Sequence, residues 1–120
     1  GHDSNFMRIM YCFPEQEPKI LKIEKELEAI SKLMQTPFFE TTMYKGMILI
    51  YDPKGILKYS KVQRLDGLNL RGPFIFAGND TLELDFKSLN IEQIRYLQKH
   101  ITQEKQIEEE RPIYRNKCNY

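Results

Sequence analysis

The stretch Met43-Tyr-Lys-Gly-Met-Ile-Leu-Ile-Tyr-Asp-Pro-Lys-Gly-Ile-Leu-Lys-Tyr-Ser60 leaves this chain few options. Asp52-Pro-Lys-Gly55 presets φ at Pro53 and gives freedom at Gly55, as a β-turn requires. Strand-forming residues lie on both sides of it. The stretch therefore predicts one strand ending at Tyr51 and another returning over Ile56 to Ser60, folded back across that turn. Met47-Ile-Leu-Ile50 is apolar at every position, which predicts a central strand covered on both faces. Phe38 to Tyr44 reads as the strand before it, with Lys45-Gly46 as the turn between them.

The flanking segments add further elements. Phe6 to Phe13 is rich in strand formers, and Pro14 through Pro18 forms a polar turn. Ile20, Ile23, Leu27, Ile30 and Met34 recur at spacings of three and four, which suits an amphipathic helix. Lys19-Ile-Leu-Lys-Ile23 reads equally as a short strand pairing back on the first one. Pro37 stops any helix there. Residues 61–72 read as a basic loop, and Pro73 to Gly78 as another buried strand. Leu82, Leu84 and Phe86 alternate with charged residues, the pattern of a strand wetted on one face. Asn90 caps a last helix with Gln93 as its capping-box partner, and Leu89 and Ile94 are spaced as a hydrophobic staple. Ile91, Ile94, Leu97 and Ile101 form the stripe expected to be buried. From Gln103 to Arg111 the segment is almost wholly polar, so the helix is expected to project into solvent before Pro112.

With 120 residues, of which 41% are hydrophobic and 29% charged, the chain can bury one core without disulfide or metal staples. Eighteen Lys and Arg against seventeen Asp and Glu exclude a global charge that would steer it to nucleic acid or anionic lipid. Cys12 and Cys118 make no disulfide framework and read as reduced thiols of a cytoplasmic protein. No apolar run spans a membrane and no signal peptide is present, so no membrane partner is expected. Gly1-His2 reads as a cloning remnant and Met7 as the native start, which divides the chain into a leader 1–6, a domain 7–102 and a tail 103–120.

The order of these segments resembles DUF3846, a bacterial and phage family of unknown function. The resemblance rests on the opening Met7-Arg-Ile-Met, the turn Asp52-Pro-Lys-Gly-Ile-Leu57, the strand Gly72-Pro-Phe-Ile-Phe-Ala-Gly78, and the helix start Ser88-Leu-Asn-Ile-Glu-Gln-Ile94. It covers residues 7–100. Gln35-Thr36-Pro37 stands where the family has Gly-Gly, and Gln63-Arg64 where it favours Asn-Arg. The resemblance favours a strand to about Ile23 and a helix from about Glu24 to Gln35. It implies an accessory role in a phage or mobile element and supplies no activity. The fold expected is α+β: a mostly antiparallel sheet of five to six strands with two helices on one face.

Lys54, Lys58, Lys61, Arg64 and Arg71 lie within 54–71, with Asp66 the one acid and Tyr51 and Tyr59 among them. Cations beside aromatic rings suit a nucleotide or single-stranded nucleic acid, because bases stack while phosphates pair with Lys and Arg. Lysines guarding a hairpin end have the same composition. The binding candidates are Lys54, Lys58, Tyr59, Lys61, Arg64 and Arg71, and charge reversal at Lys58 and Lys61 together is expected to leave folding intact. Glu108-Glu-Glu110 reads as a solvated helix end. His100 has neither a second ligand at helical spacing nor a nucleophile to serve, so neither a metal site nor a catalytic residue is expected. The function expected is a small, non-enzymatic protein without a cofactor that binds and modulates a host protein, such as a defence factor. The alternative is nucleotide or nucleic-acid binding through the 54–71 segment, including sequestration of a nucleotide signal. A homo-oligomer is compatible with both.

Overall fold

Strand-forming segments joined by short turns pair here into one antiparallel sheet with a satellite hairpin. The computed structural model describes residues 5–80 and 85–101. Among them are the strands β1 (Phe6–Cys12), β2 (Lys19–Glu24), β3 (Glu40–Tyr44), β4 (Met47–Tyr51), β5 (Val62–Leu65), β6 (Leu68–Arg71), β7 (Phe74–Asn79) and β8 (Phe86–Lys87). The helices are α1 (Leu27–Met34), the single turn α2 (Gly55–Lys58) and α3 over 91–101. The main sheet runs β2-β1-β7-β4-β3, with β8 added to β7, and β5 and β6 form a two-stranded sheet of their own. The α+β class with a six-stranded antiparallel sheet is the architecture expected. Residues 19–24 are strand, with the helix following.

Alternation within β1, β4 and β7 sends apolar side chains to both faces. Met7 and Ile9, Ile48 and Ile50, Ile75 and Ala77 face Ile30 and Met34 of α1. Met10 and Cys12, Met47 and Leu49, Phe74 and Phe76 face the other way, onto Ile94, Leu97 and Ile101 of α3 and Leu65 of β5. The two longer helices therefore lie on opposite faces rather than on one. The fully apolar Met47–Ile50 run requires this, because a single layer of helices would leave half of it in water.

The turn at Asp52 forms as expected, with the Gly55 N–H donating to the Asp52 carbonyl at 3.0 Å. The returning strand over 56–60 does not. Both edges of β4 are taken, by β3 and β7, so a third partner finds no backbone groups to pair with. Lys54 leaves the turn at φ −102°, ψ 13°, and the chain continues as α2. Residues 61–72 are not a loop either. Asp66 and Gly67, at φ 47° and 88°, form the two-residue turn of the β5–β6 hairpin, the geometry an Asp-Gly pair favours.

The capping box of α3 is formed, with the Gln93 N–H donating to Asn90 Oδ1 at 2.8 Å and the Asn90 N–H to Gln93 Oε1 at 2.9 Å. Such a cap contributes about 1 kcal/mol. Leu89 and Ile94 are both buried, as a staple across that cap requires, but Ile91 is 58% exposed and lies outside the stripe. The approach to α3 is stitched to β1: the Leu89 N–H donates to the Arg8 carbonyl at 2.9 Å, and the Arg8 N–H to Ser88 Oγ at 2.8 Å. Leu82 and Leu84 of the alternating strand, and the tail from 102, lie outside the described residues. No helix among the described residues is long and apolar enough to cross a membrane.

Candidate functional site

The expected binding residues divide between α2 and the β5–β6 hairpin, which meet at one close contact. A Cβ at Gly55 would stand 2.0 Å from the carbonyl oxygen of Arg71, so α2 can lie against β6 only because residue 55 has no side chain. Between them, with the end of β4, lies a cleft of about 380 Å³ lined by Tyr51, Asp52, Pro53, Ile56, Val62 and Arg71, together with Asn69 and Leu70. Its wall is mixed, with Pro53, Ile56, Val62 and Leu70 set among the polar groups of Tyr51, Asp52, Asn69 and Arg71.

Asp52 organises the floor of this region. Its side chain is 2% exposed; Oδ1 accepts from the Lys54 N–H at 2.9 Å, and Oδ2 from Lys58 Nζ, also at 2.9 Å. Lys58 is thus the counter-ion of a buried carboxylate, not a cation on a hairpin end. That overturns the expected neutrality of reversing its charge. Lys61 faces Glu15 at 3.7 Å with both side chains largely exposed. Tyr59 lays its ring against Gly72, edge-on to Phe13, and its hydroxyl donates to Gln35 Oε1 at 3.4 Å. The Tyr51 hydroxyl donates to Glu40 Oε1 at 3.0 Å, a bond that raises its pKa. Arg64 and Arg71 are rooted on the same face of the hairpin, since Arg64 pairs with Asn69 and Arg71 with Val62; Arg71 is exposed, and Arg64 is half-buried with its Nε out of solvent. The structure therefore gathers Lys54, Lys58 and Arg71 around α2, sets Tyr59 and Lys61 on other contacts, and places Arg64 on the hairpin face that it shares with Arg71.

Alongside α2, the sequence conceals two exposed apolar side chains. Ile56 is 64% and Leu57 80% exposed. Both stand on the single turn α2, where Ile56 lines the cleft and Leu57 follows it toward solvent.

A second constellation lies at the hairpin tip. Asp66 accepts from the Tyr44 hydroxyl at 2.8 Å and from the Tyr96 hydroxyl, and its Oδ1 lies 3.0 Å from His100 Nδ1. Tyr96 and His100 stack at 4.1 Å, and Lys45 Nζ lies over the rings of Tyr44 and Tyr96 at 5.7 and 5.5 Å. The hydrogen bond from Tyr96 does most to hold the Asp66 carboxyl below its ordinary value, with Tyr44, His100 and Lys45 adding to it. Burial, and then the bond to Asp66, push the Tyr44 hydroxyl upward. Here the arrangement ties β3, the hairpin and α3 to one another. Among the described residues no three His, Cys, Asp or Glu side chains gather as a metal site would require.

No curated protein and no solved structure matches this chain. A family model does, over residues 7–102, a span that takes in the described strands, β1 from its second residue, and the described helices. The chain belongs to the family described as Domain of unknown function (DUF3846).

Proposed function

We propose that this chain is a non-enzymatic binding module that engages a host protein through α2 and the adjoining cleft. The exposure of Ile56 and Leu57 carries this reading. Two adjacent large apolar side chains exposed beside a partly apolar cleft offer a partner a contact patch that it can take out of water. Arg71 on the cleft wall adds a cation able to pair with a carboxylate of that partner. Modulation of a cytoplasmic host factor by a phage or mobile-element protein is the setting that accords with the family resemblance.

A second reading draws on the shared face of Arg64 and Arg71. Two guanidinium groups flanking Asn69 suit phosphates, with Tyr51 in the cleft available to a base.

Affinity capture from a bacterial lysate, with and without nuclease, separates them. The protein-binding reading expects a near-stoichiometric protein that survives nuclease and is lost from the Ile56→Asp/Leu57→Asp variant. Retention of that protein by the variant overturns it. Retained nucleic acid or nucleotide, weakening steeply with salt and lost on Arg64→Glu/Arg71→Glu, establishes the second reading instead.

A further inference from the structure

The sheet has two edges, and they are built differently. β2 carries Lys19, Lys22 and Glu24 among six residues, the charged composition that discourages strand addition. The opposite edge, β3, reads Glu-Thr-Thr-Met-Tyr and has one charge, at its first position, with neither lysine nor proline inside it. Residues 40–43 are exposed, and among the described residues β3 pairs only with β4.

The register shows which backbone groups face outward. Lys45 and Gly46, at φ 50° and 77°, form a two-residue turn, so Tyr44 and Met47 flank it as a hydrogen-bonded pair. Bonding alternates along an antiparallel ladder, so Thr42 and Glu40 also bond to β4. Thr41 and Met43 turn their N–H and C=O groups to the outer edge.

We propose that β3 is a homodimerisation edge, pairing antiparallel with β3 of a second copy of this chain about a twofold axis at Thr42. In this register Thr41 of each copy lies opposite Met43 of the other, which satisfies the outward groups of both with about four backbone hydrogen bonds. The two Thr42 side chains meet at the axis on the α3 face, a pairing that Thr favours across strands. The two Met43 side chains, each 45% exposed in the single chain, flank the axis on the α1 face and cover one another. Glu40 falls opposite Tyr44, and the two Glu40 residues stand about 13 Å apart, so no like charges face each other. A second copy fits because this register pairs the outward backbone groups of each strand with those of the other, sets Thr42 against Thr42 and Met43 beside Met43, and opposes no like charges. The six-stranded sheet would continue across the axis as one sheet. The edge shares no residue with the cleft, so this inference stands or falls independently of the protein-binding reading.

A single strand pair buries little area, so the dimer is a weak one, reversible over a range of about 10 µM to 1 mM. Sedimentation velocity of the full chain across that range tests it. The expected result is a monomer at the low end and a dimer at the high end. Thr41→Pro removes one outward N–H without touching the bonds to β4, and Met43→Lys places a lysine beside the axis. Both variants are expected to stay monomeric throughout, with the circular dichroism and melting temperature of the wild type at low concentration. A wild-type chain that is monomeric over the whole range overturns the proposal. So does a dimer that persists in Met43→Lys, the variant that keeps the backbone intact.

Discussion

His100 and Asp66 close a bridge between α3 and the tip of the β5–β6 hairpin, with Nδ1 of one 3.0 Å from Oδ1 of the other. With the hydroxyls of Tyr44 and Tyr96 also donating to Asp66, one carboxylate gathers two hydrogen bonds and the imidazole contact from two other elements, β3 and α3. Replacing Asp66 by Ala leaves those donors without their acceptor and is expected to cost about 1–2 kcal/mol in a urea titration, a moderate figure because the cluster is partly solvated. Asp66→Asn tolerates the left-handed turn and retains an acceptor, so a smaller loss is expected. A double-mutant cycle with Tyr96→Phe measures the coupling.

The same carboxylate sets an acid limit. Its folded pKa lies below the ordinary 3.8, chiefly through the Tyr96 hydrogen bond. The stability it contributes is therefore present above 3.8 and lost as pH falls through the depressed folded value. Tyr44 has the opposite sign: raised above 10.0 by burial, it contributes stability below that pH and loses it as pH rises further. Urea midpoints measured against pH should fall at both ends, with Asp66→Asn flattening the acid limb and Tyr44→Phe the alkaline one.

Lys58 and Lys61 separate two kinds of surface lysine. Lys58→Glu sets a like charge against the buried Asp52 and is expected to cost about 2–4 kcal/mol. Lys61→Glu disturbs only an exposed pair with Glu15 and should change stability by less than about 0.5 kcal/mol. Thermal melts of the two single variants check this, and equal effects would contradict the burial of Asp52.

Gly55 tests how α2 is seated. An alanine Cβ has no room against the Arg71 carbonyl, a backbone atom that cannot swing aside. Gly55→Ala is expected to cost about 1–3 kcal/mol and to separate α2 from β6. Gly46→Ala, with nothing within 4 Å of its Cβ, meets only the strain of a positive φ and should cost about 1 kcal/mol. Chemical denaturation ranks them.

Local chemistry was legible in the residues. The Met47–Ile50 run, the Lys45-Gly46 turn and the Asn90–Gln93 box each depend on near neighbours, and each forms as read. Asp52-Pro-Lys-Gly55 announces a turn but not the conformation of residues 56–60, because that depends on whether an edge of β4 is vacant. β7, distant in sequence, occupies that edge. In the 54–71 segment, charge obscured alternation: Val62 and Arg64 against Gln63 and Leu65, closed by Asp66-Gly67, carry a hairpin signal. The Asp66 cluster could not be read, since Tyr44, Asp66, Tyr96 and His100 come from segments that only tertiary packing brings together. Of the candidate site, the cations were legible. Their counter-ions and the apolar pair on α2 were not.

The placement of β7 bears on how the molecule is assembled during synthesis. The β1–β2 and β3–β4 pairs are local and can close as soon as they leave the ribosome. β7 lies between β1 and β4, so neither pair can join the other until residues 74–79 have emerged. Until then the nascent chain carries two separate hairpins, each with an unsatisfied strand edge and an uncovered apolar face. β7 is the strand that joins the two pairs, and a ribosome pause before Phe74 would lengthen the interval in which this chain is open to misassembly.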